Sequence, residues 1–309
     1  MTIEHVAFGI VIDDIVMPDG QQHLGVLGGG GPQTAWGMAA ALQSTDEDTQ
    51  TVGLVALVGE DLTPEMLISM TNAGINLDGL RLMADGALTP RAWQEIDAHG
   101  GRTHVWKVPP PPPEVHFPSD WTRMPESYQQ ARNFHWGLHP ENPGSGFGQT
   151  LTQAGRNVSL ETFKPPDVPL TDDELHDLLT CCKVFSPNWG EATGITGQSD
   201  YDGVIRRFRD CGGKILALRR GEQGADVWDL ERGRGVRVPA VKTMVVDTVG
   251  AGNAFCGALL VTLDRVGDLA TAAAHGVTAA AYLVEQVGLP LTLPAAEDYE
   301  RRLASIMAQ

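Results

Sequence analysis

Positive charge is scarce in this sequence of 309 residues. It has 22 lysines and arginines against 39 aspartates and glutamates, which gives a formal net charge of −17. A field of that sign repels phosphate backbones and acidic lipid surfaces, so the sequence predicts neither nucleic acid nor a membrane as a partner. It still allows a small anion to be held by local backbone N–H groups.

Cysteines and long apolar runs are also few. Cys181, Cys182, Cys211 and Cys256 form no C-x-x-C pair, which argues against a zinc site or a thioredoxin-type motif. No apolar run approaches the ~18 residues that span a bilayer. The first residues lack the basic region and cleavage site of a signal peptide. We therefore expect a cytoplasmic protein with reduced thiols.

Strand and helix patterns alternate along the chain, which predicts an α/β fold with a mostly parallel sheet and helices on both faces. No linker divides residues 1–309, so we expect a single domain. Strands at Thr89–Ile96 and Thr103–Val108, with a turn at 98–101, predict an exposed hairpin inserted into that domain. The other predicted strands are His5–Val16, Gln22–Leu27, Val52–Val58, Asn157–Glu161, Lys183–Ser186, Lys214–Leu218, Ala225–Asp229, Gly235–Val238 and one closing at Val245–Val246. The predicted helices are Thr34–Leu42, Thr63–Ala73, Thr171–Leu179, Tyr201–Asp210, Gly250–Val266 and Ala270–Gln286. Pro32, just before Thr34–Leu42, is predicted to occupy the first helical position.

The most informative motif is DTVGAGNAF at residues 247–255. A predicted strand ends there, small residues follow, and an apolar helix begins. Glycines at such a turn let backbone N–H groups face outward at a helix N-terminus, which makes an anion site suited to phosphoryl transfer. An ordinary glycine-rich turn remains the alternative. A dinucleotide fingerprint would need glycine at Phe255, and no phosphate-binding loop of the G-x-x-x-x-G-K type occurs.

Residues 247–253 resemble the D-T-x-G-A-G-D signature of the PfkB/ribokinase family of carbohydrate kinases. Further matches follow in the family's order over nearly the whole chain. They are a first strand with Gly9 and Asp14, the four glycines at 28–31 before a helix, VGED at 58–61, PNWGE at 187–191 and RRGEQGA at 219–225. The sequence is thereby identified as a divergent member.

The resemblance implies a ribokinase-like three-layer α/β/α domain. A small β lid, from about 17–27 and 89–108, would close over the substrate and could build a homodimer. It implies ATP and Mg²⁺ as cofactors, and a sugar, nucleoside or related polyol as acceptor. Gly250, Ala251 and Gly252 would form the anion hole, while Asp14, Gly29 and Gln33 would line the acceptor site. Glu191 would organise the metal, and the implied nucleotide contacts are Asn188, Arg219, Gly221, Gly224, Thr248 and His275.

Three positions depart from the family pattern. Asn253 replaces the signature aspartate that takes the substrate proton, and an amide cannot take up a proton near neutral pH. Gln33 replaces an asparagine at the sugar site, and Arg219 stands where threonine is usual. The sequence therefore predicts a slow kinase, with a nucleotide- or sugar-binding pseudokinase that acts as a sensor or scaffold as the alternative. A natural branch with another base and a single engineered change also remain open.

Two other functions have weaker support in the sequence. His135 and His139 have i,i+4 spacing, but no H-E-x-x-H surrounds them, so a zinc site is not predicted. A dinucleotide-dependent oxidoreductase remains a third alternative, which stabilisation by NAD without an effect of ATP would support.

Overall fold

A computed structural model describes residues 2–45, 48–97, 102–111, 124–141 and 145–308. A nine-stranded sheet runs through its centre in the order β13-β12-β11-β10-β9-β8-β1-β4-β5. From β5 to β11 neighbouring strands are parallel, and β12 and β13 add an antiparallel hairpin at one edge. Its strands are β1 His5–Phe8, β4 Val52–Val58, β5 Asn76–Leu82, β8 Asn133–Leu138, β9 Asn157–Thr162, β10 Val184–Phe185, β11 Ile215–Arg219, β12 Ala225–Asp229 and β13 Arg234–Val238.

Helices cover this sheet, which confirms the predicted ribokinase-like α/β class. Strands such as β1 and β8 are buried along their whole length, as parallel strands are when helices lie on both faces. The helices are α1 Gly30–Gln43, α2 Ile68–Asn72, α3 Ser145–Gln153, α4 Asp172–Thr180, α5 Trp189–Thr196, α6 Tyr201–Asp210, α7 Ala251–Val266, α8 Leu269–Val284 and α9 Ala296–Met307. In the described parts of the chain, no helix is long and apolar enough to cross a membrane.

A second, four-stranded sheet lies beside the first, in the order β3-β2-β6-β7. It consists of β2 Val11–Val16, β3 Gln22–Gly28, β6 Arg91–Ile96 and β7 Arg102–Val108. The segments predicted to form a lid therefore share one sheet with β2. The predicted turn at 98–101 lies outside the described residues.

The sequence predicts one strand over His5–Val16, and this is wrong. Two strands belonging to different sheets occupy it, separated at Gly9, whose φ of 91° suits glycine. The apolar pattern continues through the break, so the pattern alone carries no sign of it.

Other boundaries differ because local propensity competes with tertiary contacts. The predicted helix Thr63–Ala73 is reduced to α2, and Val245–Val246 lies in no strand. Helix α1 begins at Gly30, which makes Pro32 its third residue rather than its first. Proline fits there because the first-turn N–H groups have no partner within the helix.

Helices α1 and α7 cross closely, and this contact brings the two helix N-termini together. A Cβ atom added to Gly37 would overlap the Ala254 backbone, and one on Gly257 would overlap the Thr34 carbonyl. Because neither glycine carries a side chain, the two helix backbones approach each other. Their N-termini consequently lie side by side at the carboxyl edge of the main sheet.

Candidate active site

Helix α7 begins at that edge without a side-chain cap. Gly250 precedes it with a φ of 82°, a left-handed conformation that glycine adopts without strain. The first N–H groups of an α-helix have no intrahelical acceptor, and the helix dipole adds partial positive charge at this end. The residues that the sequence assigns to the anion hole therefore stand at the N-terminus of the 16-residue helix α7, a position that suits an anion; their role stays a prediction.

Two side chains lie directly against this turn. Gln33 of α1 packs on Gly250, so that a Cβ there would meet the glutamine Cγ, and the Arg219 guanidinium packs on Gly252. Gln33 is only 3% exposed, and its Oε1 has no hydrogen-bond donor among the described residues. Both positions depart from the family pattern, and the structure brings them together at one helix terminus.

Arg219 bridges two buried carboxylates. Its Nη1 lies 2.9 Å from Oε2 of Glu161, and its Nη2 lies 3.3 Å from Oε2 of Glu191. Glu161 lies near the carboxyl end of β9, Arg219 at the end of β11, and Glu191 in the first turn of α5, which follows β10. They meet because the parallel strands β9, β10 and β11 end at the same edge of the sheet. One positive charge thus faces two negative ones.

Burial and pairing act in opposite directions on these carboxyl groups. Burial alone would raise the pKa of Glu161, but the Arg219 charge and the hydrogen bonds from His135 and Asn253 hold that pKa below its usual range. Burial raises the pKa of Glu191, and Arg219 offsets this only in part. The pKa values of the two carboxyl groups are therefore shifted in opposite directions, with Glu161 the more acidic of the two.

Asn253, at the signature position, donates a hydrogen bond from Nδ2 to Oε1 of Glu161. His135 Nε2 lies 3.4 Å from the same oxygen, and Cys256 Sγ lies 3.9 Å from Oε2. His135, Glu161 and Cys256 are grouped closely enough to hold a metal ion, but a cation there would meet the Arg219 guanidinium. The cluster is best described as a buried, hydrogen-bonded carboxylate.

The PNWGE segment forms a capping box at the start of α5. Asn188 Oδ1 accepts from the Glu191 N–H at 2.9 Å, and Glu191 Oε2 accepts from the Asn188 N–H at 2.8 Å. Since Oε2 of Glu191 also meets Arg219, the arrangement does not fit direct coordination of Mg²⁺ by that oxygen. The role of Glu191 in binding a metal stays a prediction.

The predicted nucleotide loop lies beside this box. Asn188 and Arg219 form an isolated parallel bridge, and Gly221 starts a single 3₁₀ turn that ends at Gly224. Gly224 has a φ of 88°, and a Cβ there would overlap the carbonyl oxygen of Val238. Thr248 is exposed immediately before α7, and its carbonyl accepts from the Ala251 N–H at 3.4 Å.

Asp14 is placed in the small sheet, where cations surround its carboxylate. Arg91 binds both oxygens, at 2.9 and 2.8 Å, and Lys107 Nζ lies 3.3 Å from Oδ2. The N–H of Gly25 also donates to Oδ1. The hydrogen bonds of Arg91, followed by those of Gly25 and Lys107, lower the pKa of Asp14 to about 2. The carboxylate thus joins β2 to the other three strands.

The neighbouring Asp13 faces the other way, as alternation along a strand requires. Its carboxylate packs against Gly28, where a Cβ would overlap Oδ2. Gly29 follows with a φ of 82° and lies against the backbone of Val11. Sequence reasoning chose Asp14 and passed over Asp13, although both follow the same glycine.

His275 does not lie with the other predicted site residues at the N-terminus of α7. It is buried on α8, its Nδ1 lies 3.2 Å from the Tyr299 hydroxyl of α9, and burial lowers its pKa to about 4. Its predicted contact with nucleotide therefore has no geometric support here.

Sequence reasoning missed Glu161 and gave His135 no role beyond a rejected zinc pair. A charged residue at the end of the apolar strand β9 was the only available signal for Glu161. Its partner Asn253 lies 92 residues further along the chain.

Comparison with known proteins agrees with this architecture. The family model for pfkB family carbohydrate kinases matches residues 4–296. A cytidine kinase of Thermococcus kodakarensis is 25% identical, over 83% of this chain and 86% of its own. The fold matches a nucleoside kinase of Burkholderia thailandensis in complex with inosine, with 19% identity and a TM-score of 0.75 over 99% of both chains.

A ribokinase of Arabidopsis thaliana, solved with ribose and ATP, has 18% identity and a TM-score of 0.74, over 98% of this chain and 99% of its own. These proteins are kinases, which are phosphotransferases that act on sugar or nucleoside hydroxyls. The family model covers almost the whole chain, and the structural matches confirm the fold. This chain belongs to the pfkB family of carbohydrate kinases.

Proposed function

We propose that this protein transfers the γ-phosphoryl group of ATP to a hydroxyl of a small sugar or nucleoside. The observation that carries the proposal is the uncapped N-terminus of α7, with Gly250 in a left-handed conformation, beside the N-terminus of α1. Two adjacent helix N-termini at one sheet edge suit a polyanion and its acceptor.

The charge of the transferred group would be offset by backbone and side chain together. Gly250 and Gly252 would supply backbone N–H groups at the helix terminus, and the Arg219 guanidinium packs on Gly252. Fixed donors and charges at the transferring group supply most of the catalysis in phosphoryl transfer. ATP would enter as its magnesium complex, and the metal would add positive charge at the phosphates.

The acceptor would bind between α1 and the small sheet. None of the described residues donates a hydrogen bond to the buried Oε1 atom of Gln33, which costs about 1–3 kcal/mol until a ligand hydroxyl supplies one. Gly29 allows close approach at the start of α1. The small sheet, fastened by the Asp14 ion pairs, would act as the lid over this space and exclude water from the transfer.

The nucleotide would lie along the loop that starts at Asn188. Arg219 and the turn between Gly221 and Gly224 border it, and Thr248 leads into α7. A homodimer built through the small sheet is part of the same proposal.

A coupled assay that follows ADP release over a panel of sugars and nucleosides tests the proposal. We expect one acceptor class to raise ADP release above the rate with ATP alone, and mass spectrometry to find the acceptor heavier by one phosphoryl group. The absence of product with every acceptor would contradict it.

A second candidate is a pseudokinase that binds ligand without turnover. Two observations favour it. The amide Asn253 stands at the signature position in place of a base, and the Arg219 guanidinium already lies against the N-terminus of α7. This candidate predicts that ATP raises the unfolding temperature while no phosphorylated product forms.

A further inference from the structure

The proton of the acceptor hydroxyl needs a destination that Asn253 cannot provide. An amide side chain accepts hydrogen bonds through its oxygen but takes up no proton near neutral pH. The group that Asn253 contacts is a carboxylate, because its Nδ2 donates to Oε1 of Glu161. The chain thus holds an amide and a carboxylate in contact at this point.

Both groups face the start of α1, where the acceptor is proposed to bind. A Cβ atom built on Gly30 would lie 3.2 Å from Asn253 Nδ2 and 4.0 Å from Glu161 Oε1. Gly30 is the first residue of α1, and Gln33 follows one turn later. The space at Gly30 is therefore bordered by Oε1 of Glu161 as well as by the signature side chain.

The other buried carboxylates at this edge have different partners. Glu191 caps α5 and contacts the far side of Arg219, while Asp247 accepts from the Val249 N–H at 2.9 Å. Among the described hydrogen bonds, Glu161 is the carboxylate that pairs with Asn253.

We propose that Glu161 accepts the proton of the substrate hydroxyl, with Asn253 orienting its carboxylate. This inference rests on the proposed kinase function. The hydroxyl oxygen forms a bond to the γ-phosphorus, and the bond from that phosphorus to the β,γ-bridging oxygen breaks. Its electron pair leaves with ADP, the hydroxyl proton moves to Oε1 of Glu161, and solvent receives that proton after product release.

The surroundings of Glu161 suit this role. His135 from β8, Arg219 from β11, and Asn253 and Cys256 from α7 face the carboxylate, with Glu191 beyond the guanidinium. Burial raises the pKa of the Cys256 thiol, which stays protonated and adds no negative charge. Arg219 thus favours the ionised form of Glu161, and the carboxylate would take up the proton as the hydroxyl becomes acidic during transfer.

Exchanging the carboxylate and the amide between positions 161 and 253 tests the inference. Glu161→Gln removes the carboxylate, and we expect kcat to fall about 10²–10⁴-fold, with KM for ATP and for the acceptor within about threefold of native. The double variant Glu161→Gln with Asn253→Asp moves the carboxylate to the signature position and keeps the total charge. We expect it to recover kcat to within about tenfold of native.

Asn253→Asp alone places two carboxylates in contact, and we expect no gain in kcat, since a base is already present. Glu4→Gln is the matched control, because it breaks a carboxylate–Arg132 pair just before the start of β1 and should leave kcat unchanged. Unfolding temperatures are measured for every variant, and the double variant keeps the test valid if Glu161→Gln does not fold.

Three outcomes would overturn the inference while native protein remains active. They are a native kcat in Glu161→Gln, a folded double variant that stays inactive, and a gain of about tenfold or more in Asn253→Asp. A native protein that makes no product with any acceptor contradicts the proposed function itself, and the role of Glu161 falls with it.

Discussion

Two buried clusters of charge in this molecule have opposite composition. At the edge of the main sheet, Arg219 lies between two carboxylates, Glu161 and Glu191. In the small sheet, Asp14 lies between two cations, Arg91 and Lys107. The Asp14 cations are 32% and 45% exposed, so water shares their charge, whereas the Arg219 side chain is only 15% exposed.

The difference separates a structural ion pair from a candidate site. Asp14 is satisfied by its neighbours and ties strands together. The formal negative excess around Arg219 is buried beside the α7 N-terminus, which carries partial positive charge.

The largest expected effect comes from removing one cation from each cluster. Arg219→Met leaves two buried carboxylates together, and we expect a loss of about 3–5 kcal/mol in the free energy of unfolding. Arg91→Met leaves Lys107 beside Asp14, and we expect about 1–3 kcal/mol. Urea denaturation of both variants measures the two losses in the free energy of unfolding. Equal losses would contradict the distinction between the two clusters.

Asp14→Asn tests the small-sheet cluster through pH. Arg91, Gly25 and Lys107 lower the pKa of Asp14 from 3.8 to about 2, which corresponds to about 2 kcal/mol of stabilisation. Because the folded-state pKa is the lower one, this stabilisation is present above about pH 4 and is lost as the pH falls through about 2. We expect the free energy of unfolding of the native protein to exceed that of the variant by about 2 kcal/mol at pH 7, and this difference to shrink in acid. A difference independent of pH would contradict the account.

The smallest expected effect comes from removing the N-cap residue of two helices that begin with the same capping-box pattern. Asn188→Ala and Thr171→Ala each remove an N-cap, and each should lower the free energy of unfolding by about 1 kcal/mol. Only the box of Asn188 holds a carboxylate that contacts Arg219. We therefore expect a raised KM for ATP in Asn188→Ala alone, measured by initial rates. A similar rise in Thr171→Ala would assign the effect to stability.

The sequence allowed the fold to be predicted well where local signals agree. Helix α6 has the predicted bounds Tyr201–Asp210, and α7 begins within one residue of prediction, because caps and glycines mark these ends. The division between β1 and β2 could not be predicted, since a continuous apolar run hides which sheet each half joins.

The site was predictable only in part. The glycine turn before α7 identifies itself by its motif, but the partners of that turn depend on contacts between distant segments. Arg219 looked like a substituted loop residue, and Glu161 like the end of a strand, until the sheet order brought both strands beside α7. Residue spacing along the chain contains no information about such pairings.

Gly250 offers the most direct test that the α7 terminus is the phosphoryl-transfer site. Gly250 and Gly267 flank the same helix with φ of 82° and 66°, but only Gly250 contacts Gln33, while a Cβ on Gly267 meets open space. Alanine at either position should cost about 1–2 kcal/mol of stability through the left-handed backbone. With the preferred acceptor, we expect kcat/KM to fall about 10²–10³-fold in Gly250→Ala and to stay within about twofold of native in Gly267→Ala. Equal kcat/KM values in the two folded variants would contradict the account.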